Sequence, residues 1–226
     1  MKTSWLNKQD NKTLIVFFAG WSFDFKPFEF LACGNYDVLF VYDYNDFNFN
    51  TENFDKYQNK ILIAWSMGVF AAYMLRDLFI DFDKKIAVNG TVTPVDDEFG
   101  IPVKIFELTL RHAQKGLEGK FYANTLQTDE EYQKYLSNPV QRPIENRVSE
   151  LESLYSLIKN RNSAEYEKFY DCALVCEDDK IIPFANQLAS HKANGVQTII
   201  LPYGHNPFYN FGSWEEIIQC RQTIKQ

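Results

Sequence analysis

The chain has 226 residues, 46% of them hydrophobic and 23% charged, with 23 Lys and Arg against 30 Asp and Glu for a formal charge of −7. A chain of this size and composition builds a core without disulfides or metals, and its acidic balance excludes a general nucleic-acid binder, which needs a dominant basic surface. No apolar run approaches the ~18 residues of a membrane span or has the form of a secretory leader, so no membrane partner and a cytoplasmic location are expected.

Short apolar runs of strand length recur along the chain. Thr13–Phe18 is the first predicted strand, and the turn Ala19-Gly20-Trp21-Ser22 follows it. Asp37–Tyr42, Lys60–Ala64 and Lys85–Asn89 come next, then a shorter β run at Val103–Phe106. Helical patterns take over from there. One covers Asp129–Leu136, and another, Asn146–Lys159, sets Val148, Leu151, Leu154, Tyr155 and Ile158 on one face, with Pro139 and Pro143 between the two. Cys172–Cys176 and Gln197–Leu201 complete the strands. Continuous rather than alternating apolar runs suit strands covered on both faces, and helices between them imply right-handed crossovers. The expected fold is α/β, a mostly parallel sheet of about six strands. Residues 1–100 and 170–226 form its core, and residues 101–169 are a helical insertion. The four cysteines, Cys33, Cys172, Cys176 and Cys220, show no disulfide or zinc spacing. Cys172 and Cys176 are expected as buried free thiols on one strand face.

Three segments carry candidate chemistry. In Ile61-Leu62-Ile63-Ala64-Trp65-Ser66-Met67-Gly68 a buried strand runs straight into a helix at Ser66, the context of a nucleophile elbow. Small residues are needed two before and two after the serine, and Ala64 and Gly68 meet that need. A plain helix-capping serine remains the competing reading of this segment alone. The second segment, Leu174–Pro183, brings Asp178 and Asp179 to a strand's C-terminal end; Asp179 is preferred, with Asp178 its rival. In the third, His205 follows a strand in a loop that Gly204 and Pro207 keep irregular. His112 and His191 sit in helical, polar stretches and are read as ordinary residues. The order Ser66, Asp179, His205 is that of α/β-hydrolases, each member at a strand end.

These types assign roles. Ser66 is the nucleophile, His205 the general base and acid, and Asp179 the group that orients His205. The oxyanion donors are expected to be the backbone N–H groups of Met67 and of Trp21, whose loop Gly20 allows close to the serine. The rings of Trp21 and Trp65 are read as substrate-binding or simply as core aromatics. Three dispersed histidines offer no ligand spacing, so neither metal nor cofactor is expected.

With these residues in place, a resemblance is specific. Phe17-Phe18-Ala19-Gly20-Trp21, Tyr42-Asp43-Tyr44, Ala64-Trp65-Ser66-Met67-Gly68-Val69 and Val88-Asn89-Gly90-Thr91-Val92-Thr93-Pro94 resemble the BioG family, the pimeloyl-[acyl-carrier protein] methyl ester esterases of biotin synthesis. Gly204-His205-Asn206-Pro207-Phe208 is similar to the histidine loop of the related BioH esterases. The resemblance implies an α/β-hydrolase fold with the insertion as a lid. It also implies an acyl carrier protein as partner and hydrolysis of the methyl ester at the far end of its pimeloyl chain. Residues 101–170 hold ten basic and ten acidic residues, so the remainder carries the whole net charge. An acidic carrier would therefore dock on the insertion, where Arg111, Lys115, Lys120, Arg142 and Arg147 are the candidates. Another acyl hydrolase, a thioesterase or a broad carboxylesterase, would use the same three side chains. A non-catalytic binding module on this fold is the reading from another class.

Overall fold

The computed structural model describes residues 1–51, 54–160 and 168–220. Seven strands form one sheet: β1 (Lys2–Asn7), β2 (Thr13–Phe18), β3 (Tyr36–Tyr42), β4 (Asn59–Trp65), β5 (Lys84–Val88), β6 (Cys172–Cys176) and β7 (Gln197–Leu201). Their order is β1-β3-β2-β4-β5-β6-β7. All neighbouring pairs are parallel except β1 with β3. The six expected strands are present, three of them with the expected ends. Leu14 to Phe18 of β2 and Leu62 to Trp65 of β4 are fully buried, as strands covered on both faces must be.

The seventh strand, β1, was not expected. Its sequence, Lys2-Thr3-Ser4-Trp5-Leu6-Asn7, has no apolar run, and at the sheet edge it needs none. An ion pair from Lys2 Nζ to Asp43 Oδ2 at 2.7 Å helps to hold it.

Helices α1 (Met67–Met74), α7 (Phe184–Ala193) and α8 (Trp214–Gln219) accompany the sheet. Between β5 and β6 come α2 (Val103–Arg111), α3 (Ala113–Glu118), α4 (Phe121–Thr125), α5 (Asp129–Ser137) and α6 (Ile144–Asn160). The last two cover both helical patterns expected there. A Thr128–Glu131 capping box starts α5, reciprocally satisfying two backbone donors. The expected β run at Val103–Phe106 is instead the first turn of α2. Four apolar residues fit either structure, and here Phe106 is buried while Ile105 is half exposed, an asymmetry that suits a helix.

Two of the basic side chains expected at the surface lie inside. Arg142 and Arg147 are each 7% exposed. Arg142 pairs with Glu150 Oε2 at 2.9 Å and Asp43 Oδ1 at 3.3 Å, and Arg147 bonds the Tyr122 hydroxyl. A count of charge does not reveal burial, and here buried partners take up both guanidinium groups. All four cysteines are free; Cys176 is buried, and burial pushes its thiol up to about 12. Cys172 is only half-buried, because it opens β6 where the strand emerges from the core.

Candidate active site

Ser66 sits between β4 and α1 in a left-handed conformation, φ 56° and ψ −125°, and its side chain makes no helix-capping bond. That disposes of the capping role. A β-carbon on Gly68 would lie 2.4 Å from the Phe18 carbonyl oxygen, and one on Gly90 would lie 2.4 Å from that of Ser66. Only glycine lets the start of α1 and the end of β5 close around the turn.

His205 Nε2 is 2.9 Å from Ser66 Oγ, and His205 Nδ1 is 2.8 Å from Asp179 Oδ2. The structure thus joins three segments spread over the sequence into one line of hydrogen bonds. Ser66 is 6% and His205 3% exposed, and the Asp179 side chain is fully buried. The amides of Ile181 and Ile182 donate to Asp179 Oδ1, and Gln187 Nε2 donates to Oδ2. Asp178 points elsewhere, accepting from Gln127 Nε2 on the exposed side.

Sequence reasoning missed two supports. Asn89, just after β5 with φ 40°, donates its Nδ2 to the Gly204 and His205 carbonyls, and its Oδ1 accepts from Cys176 N. One buried amide thereby ties the histidine loop to the strand that carries Asp179. Gln187, on α7, supports the aspartate. The only sequence signal for Asn89 is a polar residue closing an apolar strand.

Trp65 was read either as substrate-binding or as a core aromatic. Its ring is fully buried, and its Nε1 donates to the His205 carbonyl at 2.9 Å. Trp21 lies opposite, its Nε1 donating to Arg147 O at 2.7 Å. Both residues line a cavity of about 210 Å³ that also reaches Ser66, Met67 and His205. Its other walls include Phe23, Ile101, Phe106, Phe121 and Leu151, so α2, α4 and α6 close the space above the serine. A β-carbon on Gly20 would sit 3.1 Å from Ser66 Cβ, which brings the Trp21 loop against the serine. Neither the Trp21 nor the Met67 backbone N–H makes a hydrogen bond among the described residues.

The other histidines stand apart. His112 is exposed at the end of α2. His191 is not in polar surroundings as expected but 3% exposed, and burial draws it down to about 4. Among the described residues no cluster of His, Cys, Asp or Glu could hold a metal, and no helix is long and apolar enough to cross a membrane.

A mostly parallel sheet with Ser, Asp and His following β4, β6 and β7 has the form of the α/β-hydrolase fold. Residues 1–217 match the family described as pimeloyl-ACP methyl esterase BioG, and the chain belongs to that family. It is similar to the crystal structure of BioG from Haemophilus influenzae, with a TM-score of 0.83 and 30% identity over 95% of this chain and 98% of that one. A Bacteroides fragilis protein described as malonyl-[acyl-carrier protein] O-methyltransferase is 33% identical over 177 residues. That match takes in 78% of this chain but 36% of the relative, so the chain spans little more than a third of its length. A lipase-esterase related protein from Clostridium acetobutylicum shares the fold, with a TM-score of 0.59 and 16% identity over 96% of this chain and 98% of its own.

Proposed function

We propose that the chain is a serine esterase that hydrolyses the methyl ester of pimeloyl-[acyl-carrier protein] methyl ester, in biotin synthesis, to the free carboxylate and methanol. The observation that carries this reading is the bonded line Ser66–His205–Asp179 at an apolar cavity, in a chain of the BioG family.

The chemistry follows from the geometry. Ser66 Oγ attacks the ester carbonyl while His205 Nε2 takes its proton, and Asp179 stabilises the imidazolium through Nδ1–H. The Trp21 and Met67 N–H groups receive the oxyanion, each worth roughly 3–4 kcal/mol in the transition state. Collapse expels methanol, which takes the proton from His205. Water, deprotonated by the same imidazole, then attacks the acyl-serine; collapse breaks the bond to Ser66 Oγ, which takes the proton back from His205 as the acid leaves.

A thioester is at least as ready an acyl donor as a methyl ester, so reactivity cannot spare the link to the carrier. Position must do so. The insertion acts as lid and docking surface, and the apolar cavity, with Trp21 on its wall and Trp65 behind the histidine, holds the acyl chain. Arg111, Lys115 and Lys120 are exposed on it. Lys115 and Lys120 line a surface groove that shares Trp21, Thr109, Phe121 and Asn124 with the cavity, a route suited to the carrier's arm. Arg142 and Arg147, being buried, are withdrawn from this role. The Bacteroides relative supports the substrate class, since its described reaction puts a methyl group on a carrier-bound acid.

The test is product analysis on carrier-bound pimeloyl methyl ester. The expected result is one methanol per carrier chain and no free thiol on the carrier's arm. Appearance of that thiol without methanol would make the chain a thioesterase.

A further inference from the structure

The loop Ala19–Ser22 is gripped on several sides. The Tyr44 hydroxyl donates to Ala19 O at 2.6 Å. The Ser22 N–H donates to Glu150 Oε2 at 3.1 Å, and the Tyr44 N–H to Glu150 Oε1 at 2.9 Å. Arg142 Nη1 donates both to Glu150 Oε2, at 2.9 Å, and to Phe23 O, at 3.1 Å. Trp21 is held through its ring by Arg147 O. Around it the chain is pinned at Ala19, Ser22 and Phe23, while its own backbone N–H makes no such bond among the described residues. Ser22 meanwhile has φ 73°, a conformation that its surroundings must enforce.

Glu150 belongs to α6, far in sequence from both loops that it binds, and is fully buried. Burying a carboxylate with a guanidinium carries a desolvation cost that apolar neighbours would avoid. No apolar side chain, however, could accept from two backbone amides at once.

We propose that Glu150 is a positioning residue: by accepting from the Ser22 and Tyr44 amides together, it fixes the loop so that the Trp21 N–H faces the ester oxygen above Ser66. This rests on the reading of Ser66 as nucleophile and Trp21 as oxyanion donor. In Glu150→Gln the shape is kept, but an NH₂ group must turn toward one of the two donors. Tyr44→Phe removes only the bond to Ala19 O on the other side of the loop.

The experiment measures hydrolysis of a short p-nitrophenyl ester, with rates expressed per serine titrated by a fluorophosphonate. For Glu150→Gln, kcat should fall about 100-fold, as expected when a donor is misplaced by about 1 Å, with KM little changed. For Tyr44→Phe the same pattern should appear at about 10-fold. Affinity for a boronic acid, whose tetrahedral adduct on Ser66 sets an oxygen in the hole, should fall in parallel, while affinity for a straight-chain carboxylate should not. Ser66→Ala is measured alongside; full activity there would overturn the nucleophile reading itself. If Ser66→Ala is inactive but both variants keep wild-type kcat per titrated serine and wild-type boronate affinity, the role given to Glu150 is overturned, even if their yield or melting temperature drops. Should Glu150→Gln fail to fold, Tyr44→Phe decides by the same criteria.

Discussion

Ser66 occupies a backbone region that costs a serine on the order of 1–3 kcal/mol, and it stays there because β4, α1 and the Gly90 turn close around it. The strain lifts Oγ clear of the helix and toward His205. Asp179 is chosen over its neighbour by hydrogen bonding: two amides and Gln187 fix its carboxylate behind the imidazole, whereas Asp178 bonds only at the surface. Asp179→Ala should therefore lower kcat by roughly 10⁴-fold, and Asp178→Ala should change it little. The reverse outcome in steady-state assays would reassign the acid. Ser66, Asp179 and His205 were legible because each follows an apolar strand within a few residues. Asn89 was not, since its bonds reach segments far away in sequence, and Gln187 was not, since a polar residue on a helix carries no sign that it turns back onto the loop before it. Asn89→Ala strands the Gly204 carbonyl and the Cys176 amide and leaves the His205 carbonyl to Trp65 Nε1 alone; denaturant unfolding should show a loss of about 2 kcal/mol or more, together with a lower kcat.

At the scale of elements, the central strands were readable because burial on both faces forces an unbroken apolar run. The edge strand β1 obeys no such demand, and α2 begins with residues that serve a strand equally well. Charge patterning failed for a different reason, since burial of an arginine depends on partners brought in by folding. The five basic docking candidates of the insertion should thus separate into two groups. Lys115→Glu with Lys120→Glu should raise KM for carrier-bound ester and leave a small ester unaffected. If both substrates suffer equally, this face is not the docking side. Arg142→Met leaves Glu150 buried without its guanidinium and Asp43 with Lys2 as its remaining ion-pair partner, and calorimetry or denaturant unfolding should show a loss of about 3–5 kcal/mol.

Across the whole molecule, acid acts on two buried groups in different windows. Burial draws His191 down to about 4 from an ordinary 6.5, so between those values the unfolded chain binds a proton that the folded chain refuses. Stability should fall by up to about 3 kcal/mol as pH drops through that range. In Asp43 burial acts upward, but hydrogen bonds from Lys2 and Asn45 and the charge of Arg142 hold the carboxyl at about 2. Its contribution is present above the ordinary 3.8 and is lost as pH falls toward 2. His191→Gln should flatten the melting temperature between pH 6.5 and 4. An unchanged slope would place the acid sensitivity elsewhere.

In the proposed reaction the same scale decides which of two carbonyls is cut, with the nucleophile supplied by the core and the reach set by the insertion and the carrier. The decisive measurement is the intact mass of pimeloyl-carrier protein methyl ester after incubation with wild type and with Ser66→Ala. Loss of one methylene with wild type, and no change with the variant, is the expected result. Loss of the whole acyl group, or an unchanged mass while a simple ester is still cleaved, would overturn the methyl esterase assignment.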